Sequence, residues 1–213
     1  MKSTNNVRDQ INNAVTWEMN DKLEGFASLS TSPLCNDNCI KRMEAGDTVC
    51  AHCFSARMNK RFKNLAAKLK RNAELLSTVD IQPEGVPFLN RAFFRFEAFG
   101  DLLNTQHFKN LCTIAEANPH TTFALWTKNP WIIPEALAEF GISKPENMII
   151  VQSSVLLNQE TTPANEYIDK VFTVYDKQHA ESVNINCGGR KCAECLRCYT
   201  KSDEIEYIAE LLK

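Results

Sequence analysis

With 213 residues, 44% of them hydrophobic, the chain can bury one sizeable core, which argues for a single α/β domain over 1–213 and against two. A net charge of -2 and a pI near 6.1 exclude the overall basic excess of a general nucleic-acid binder and leave room only for local patches. No apolar run reaches membrane-span length, and residues 1–20 lack an apolar leader core, so the expectation is a soluble cytoplasmic protein without membrane contact.

In chain order, 1–25 is polar, with Ile11, Val15 and Trp17 its main apolar positions, and reads as an irregular lead-in or short helix. Residues 26–32 read as a short strand stopped by Pro33. Four cysteines follow within nineteen residues: Cys35, Cys39, Cys50 and Cys53. After them Phe54, Met58, Phe62, Leu65, Leu69, Ala73 and Leu76 recur at three- and four-residue steps, which predicts one helix with one buried face. Its other face carries Arg57, Lys60, Arg61, Lys63, Lys68, Lys70 and Arg71, either a nucleic-acid or anion surface or a solvated helix face.

Beyond a connector containing Pro83, Gly85 and Pro87, residues 92–99 form a Phe-rich strand in which Arg95 and Glu97, two apart, are expected on the same face. They are either a structural ion pair or the lining of a polar pocket. Phe108, Leu111, Cys112 and Ala115 mark a helix with Cys112 as a small buried hydrophobe. Then come a strand over 122–127, a helix over 132–140 with Pro134 in its first turn and Gly141 as its stop, and a strand over 148–154. A short helix at 164–169, a strand at 171–175, a helical turn at 177–180 and a strand at 183–186 lead to Cys187, Cys192, Cys195 and Cys198. A helix over 203–212, capped by Ser202, closes the chain.

About six strand-helix units predict a parallel sheet with helices outside. A complete eight-fold barrel needs roughly 250 residues, and no Gly-x-Gly-x-x-Gly fingerprint supports a doubly wound sheet. The expectation is therefore a partial (βα)6 TIM-like barrel with both cysteine knots, 35–53 and 187–198, on the C-terminal rim of its strands. Glu97, Asp101, Thr127, Lys128, Gln152 and Ser153 also fall at strand ends on that rim. Arg95, Glu97, Asp101 and Lys128 are the candidate catalytic or substrate-holding residues, and Gln152 and Ser153 the candidate cofactor contacts.

Eight of nine cysteines sit in these two loops, and in a reducing compartment closely spaced thiols point to metal rather than disulfides. Two separated pairs, as in the first loop, suit tetrahedral zinc. Three thiolates at Cys-x-x-Cys-x-x-Cys spacing with Cys187 upstream suit an iron-sulfur cluster, best a 4Fe-4S cluster, so one or two clusters are expected with zinc as the alternative. His52, His107, His120 and His179 have no ligand-like spacing and receive no role.

Cys50-Ala-His-Cys53-Phe54-Ser55-Ala56, Arg95-Phe-Glu-Ala-Phe-Gly100-Asp101, Asn118-Pro119 ahead of Phe123-Ala-Leu-Trp-Thr127-Lys128, and the closing Cys-x-x-Cys-x-x-Cys together resemble the bacteriophage gene product 88 family, from Phe26 to Tyr199. The resemblance implies a phage or mobile-element origin, hence a host cytoplasm, and iron-sulfur binding, with no settled reaction. A more distant similarity is to radical SAM partial barrels, which place a three-cysteine loop after the first strand and bind S-adenosylmethionine at an open iron. Here Cys35-x-x-x-Cys39 matches, but ten residues precede Cys50 and a fourth cysteine follows. Three readings stand: a radical-SAM-like enzyme, a non-catalytic iron-sulfur electron carrier or sensor with a redox partner, and a zinc-stabilised module contacting protein or nucleic acid through 57–71.

Overall fold

The computed structural model describes residues 2–17 and 21–212. Helix α1 (Lys2–Ala14) and strand β1 (Thr16–Trp17) lead to β2 (Ala27–Leu29). The first cysteine loop carries α2 (Asp37–Glu44) and runs into α3 (Phe54–Arg61) and α4 (Lys63–Thr78). Then β3 (Phe93–Phe96), α5 (Thr105–Glu116), β4 (Thr122–Thr127), α6 (Ile132–Phe140), β5 (Met148–Ser153), β6 (Lys170–Tyr175) and α7 (Lys177–Ala180) alternate. The second loop holds α8 (Cys192–Cys195) and ends in β7 (Glu206–Leu211).

The strands form one sheet in chain order, with β2 to β7 all parallel and β1 antiparallel at the edge. The order never reverses, so there is no doubly wound crossover, and right-handed connections put the helices on one face. Alternation builds that face: Phe94, Phe96, Phe123, Leu125, Met148 and Ile150 join Leu76, Phe108, Leu111 and Ile133 in the main core. Every residue of β5 is buried, as expected of a central parallel strand covered on both sides.

The sheet does not close, and a side chain ahead of β2 meets its far strand. Lys22, just before β2, places Nζ 2.6 Å from Glu210 Oε1 of β7 at the other end of the sheet order. The second loop fills the face away from the helices: Tyr199 packs on Phe26, Phe93 and Trp126, with Cys192, Leu196 and Cys198 beside them. Only the first loop therefore lies across the strands' C-terminal rim, while most of the second covers the sheet face, because burying the outward aromatic side chains of β3 and β4 requires a lid there.

Five elements differ from expectation; one is 164–169, expected as a short helix, which forms only bends and turns ahead of β6. The lead-in is a 13-residue helix, α1, with Ile11 and Ala14 in the core. The helix predicted over 54–76 breaks at Phe62, which is extended (φ -116°, ψ 98°). The break lets two buried asparagines reach one strand end: Asn59 of α3 accepts from Ser32 Oγ (3.0 Å), and Asn72 of α4 donates to Ser30 O (2.9 Å). Residues 183–186 form no strand; Asn186 instead clamps β7 through Tyr207 O and Ala209 N. The closing helix is strand β7, since pairing along all of β6 covers an edge that would otherwise stay open, and buried Lys170 requires Glu206 (2.5 Å).

Candidate metal centres at the two cysteine loops

The first loop is tied to the rim by polar side chains. Asn36 caps α2, accepting from Asn38 N (3.0 Å) and Cys39 N (3.3 Å), while its Nδ2 donates to Leu102 O (2.9 Å). Arg42 donates to Lys128 O (2.8 Å) and Asn129 Oδ1 (2.6 Å) at the end of β4. Thr48 bridges to Leu156 beyond β5, and Val49 N donates to Val155 O (2.9 Å). Cys39 is thereby buried on α2, Cys50 sits in the turn 49–52, and Cys53 caps α3, its Sγ accepting from Ala56 N (3.4 Å). Cys35 is exposed on the preceding turn. Burial pushes the Cys39 and Cys50 thiols up; Arg42 and Lys128 pull both back toward thiolate.

Beneath this loop lie two buried carboxyls. Asp101 Oδ1 accepts from Thr127 Oγ1 (2.6 Å) and Leu102 N (2.8 Å), and Oδ2 from Lys128 N (3.0 Å), with Arg42 Nη1 at 3.6 Å. Burial raises its pKa, and Lys128, Thr127 and Arg42 oppose the rise. Glu97 Oε2 accepts from Thr31 N (3.1 Å) and Oγ1 (2.9 Å), while Oε1 stands 3.4 Å from His107 Nε2 with neither atom hydrogen-bonded. Burial pushes the Glu97 carboxyl up to about 8 and holds the His107 imidazole down at about 3. At neutral pH the pair is therefore mostly uncharged.

The second loop gathers its cysteines around one solvent-open pocket. Cys187, Cys192, Cys195 and Cys198 all line it, together with Lys22 and Tyr199. Cys187 N donates to Ala209 O (2.9 Å), which fixes it against β7, and its Sγ accepts from Lys22 Nζ (3.0 Å). α8 carries Cys192 and Cys195 and stops at Leu196 in the left-handed region (φ 50°), which turns the chain so that Cys198 faces back. Arg95, from the middle of β3, lies below with Cζ 3.8 Å over the Trp126 ring and a buried Nε that has no hydrogen-bond partner. Burial pushes Cys198 up to about 12, and Arg95 pulls it back.

All nine cysteines are free. Among the described residues no group of three His, Cys, Asp or Glu side chains stands at metal-holding geometry. The donors nevertheless fit a soft-metal centre: four thiols on one pocket wall, a lysine donating to one sulfur, and a guanidinium with an orphaned Nε below.

The model of the Gene product 88 family matches residues 7–206. The chain belongs to the Gene product 88 family. Neither the curated proteins nor the solved structures gave a match.

Within this family member the expected charged quartet is divided. β3 ends at Phe96 and Glu97 turns with φ 55°, so Arg95 and Glu97 do not share a face: Arg95 lies under the second loop and Glu97 under the first. Asp101 and Lys128 do meet, but through the Lys128 backbone N–H. Gln152 braces the following loop, donating to Thr162 O (3.0 Å) and accepting from Ala164 N (2.8 Å), and Ser153 is buried beside it. Cys112 is in the core, as its helical spacing implied. Lys22, Arg42, His107, Trp126 and Tyr199 were not singled out from sequence; only tertiary packing brings each to a site, although Tyr199 beside Cys198 and Trp126 within the Phe-Ala-Leu-Trp strand were within motifs already noted.

Proposed function

We propose that the protein is an iron-sulfur protein whose second loop holds a 4Fe-4S cluster through Cys187, Cys192, Cys195 and Cys198, carrying electrons or sensing redox state in the host cytoplasm. The observation that carries this reading is that all four thiols line one pocket edged by Lys22, with Arg95 below. Such a cluster would supply one-electron chemistry, and hydrogen bonds and positive charge near its sulfurs set its potential. Six parallel strands in unbroken chain order support the finer description as a partial barrel, with the second loop over the face away from the helices.

The rim charges do not favour a substrate site, since both carboxyls are buried, Asp101 with both oxygens hydrogen-bonded inside the fold and Glu97 with Oε1 turned to the equally buried His107. One observation supports a second reading, a radical-SAM-like enzyme. The first loop follows the first parallel strand, with Cys39 buried on α2, Cys50 in the next turn and Cys53 capping α3 while Cys35 stands exposed, so three thiolates there could leave one iron open to S-adenosylmethionine.

The test is anaerobic purification, spectroscopy of the oxidised and dithionite-reduced protein, and calorimetry with S-adenosylmethionine. A reducible cluster without S-adenosylmethionine binding is expected. Binding of S-adenosylmethionine would move the assignment to the enzyme, and zinc in place of iron would overturn both.

A further inference from the structure

Residues 48–73 contain seven Lys and Arg and no Asp or Glu. The rest of the chain, 17 of the 24 bases against all 26 acids, carries -9, so this segment is a positive island on an acidic molecule. The fold places it on one exterior element pair, α3 and α4, whose inward residues Ala56, Asn59, Leu69, Asn72 and Ala73 are buried. Arg57, Lys60, Arg61, Lys63, Lys70 and Arg71 are exposed, and among the described residues none of them makes an ion pair. A surface selected only for solubility intersperses both signs and forms pairs along a helix. This one has a single acid, Glu74, beyond the last of its bases, and its six exposed bases form no ion pair among the described residues.

Two aromatic side chains interrupt the basic surface. Phe54 is 56% exposed and Phe62 47% exposed, at the two ends of α3 and about 12 Å apart along its axis. Arg61 Cζ stands over the exposed Phe62 ring, 5.3 Å from its centroid, so that cation and aromatic ring form one surface. The break at Phe62 exposes that ring instead of burying it, although the helical period would put it in the core. Cations that track a phosphate backbone, interleaved with open rings for bases to stack on, are the elements of single-strand recognition. Anionic membrane is less well matched, because apart from the two phenylalanines the large apolar residues of both helices are buried or half-buried and little is left to enter a bilayer.

We propose that the α3–α4 face binds single-stranded nucleic acid, with phosphates on Arg57, Lys60, Arg61 and Lys63 and a base on Phe62. This inference is independent of which metal, if any, the cysteines hold. The test is fluorescence anisotropy of the purified full chain with a labelled oligothymidylate across a salt series. Affinity should fall with salt at a log-log slope of about -0.7 per phosphate neutralised, so Arg61→Gln with Lys63→Gln should flatten the slope by about 1.4. Phe62→Ala should weaken binding roughly tenfold with little change in slope. Lys201→Gln, away from this face, should change nothing, and circular dichroism should show each variant folded. No binding at low salt, or equal binding by wild type and the doubly substituted chain, overturns the proposal. So does a duplex bound as tightly as the single strand with Phe62→Ala silent, or capture by anionic vesicles but not by the oligonucleotide.

Discussion

Glu97→Gln isolates the buried carboxyl under the first loop, and its effect on stability against pH follows from the burial. In the fold this carboxyl titrates at about 8; in the unfolded chain it titrates near 4.3. The folded state therefore holds a proton that the unfolded state releases, so the group's contribution is fully present below about pH 4.3 and is lost as pH rises toward 8. The slope reaches about 1.4 kcal/mol per pH unit and accumulates on the order of 5 kcal/mol across the window. His107, held at about 3 against an unfolded value near 6.5, works oppositely: its contribution is present above pH 6.5 and lost as pH falls toward 3. Between roughly pH 4.5 and 6.5 the two cancel, because the proton held by Glu97 in the fold replaces the one carried by His107 in the unfolded chain. Urea unfolding of wild type and Glu97→Gln at several pH values gives the difference directly. Wild type should lose stability relative to the variant progressively from about pH 4.5 to 8. A flat difference would mean that Glu97 is ionised in the fold, held by the Thr31 donors and the His107 N–H, and the burial argument would be wrong.

Gly100→Ala places a Cβ 2.5 Å from Glu97 Oε2 and 2.7 Å from Thr31 O, and against Thr31 Oγ1, so calorimetry should show a loss of about 3 kcal/mol or more from overpacking and broken hydrogen bonds. Asp101→Ala should lose about 3 to 5 kcal/mol by stranding Arg42, Thr127 and the Lys128 N–H, whereas Lys128→Ala, whose backbone makes the contact, should stay within about 1 kcal/mol in the same chemical denaturation. Arg95→Gln removes a positive charge beneath the second loop and should lower the reduction midpoint of its cluster in a spectroelectrochemical titration; an unmoved midpoint would place the guanidinium too far from the cluster to matter.

Local signals carried the parallel sheet, and tertiary contacts decided the exceptions. Strands 122–127 and 148–153 announce themselves by apolar runs, and α6 by Pro134 and Gly141, which takes φ 61°. Residues 203–212 have a helical pattern in Ile205, Ile208, Ala209 and Leu212, yet β6 offers an open edge and Lys170 a buried charge, and pairing overrides propensity. Arg95 and Glu97 looked like partners because strand alternation was extended one residue too far; the positive φ at Glu97 sends it to the other side. The cysteine spacing showed that two loops matter. It did not show that the second lies over the sheet, since that depends on Tyr199 finding Phe26, Phe93 and Trp126.

Iron and acid-labile sulfide per chain, measured on anaerobically purified wild type, Cys195→Ser and Cys112→Ser, test the central claim most directly. Wild type should contain both, Cys195→Ser should lose those of the second loop along with stability, since metal binding and folding are coupled, and Cys112→Ser, altering a core thiol, should keep them. Zinc without sulfide in wild type, or unchanged iron in Cys195→Ser, would contradict the account.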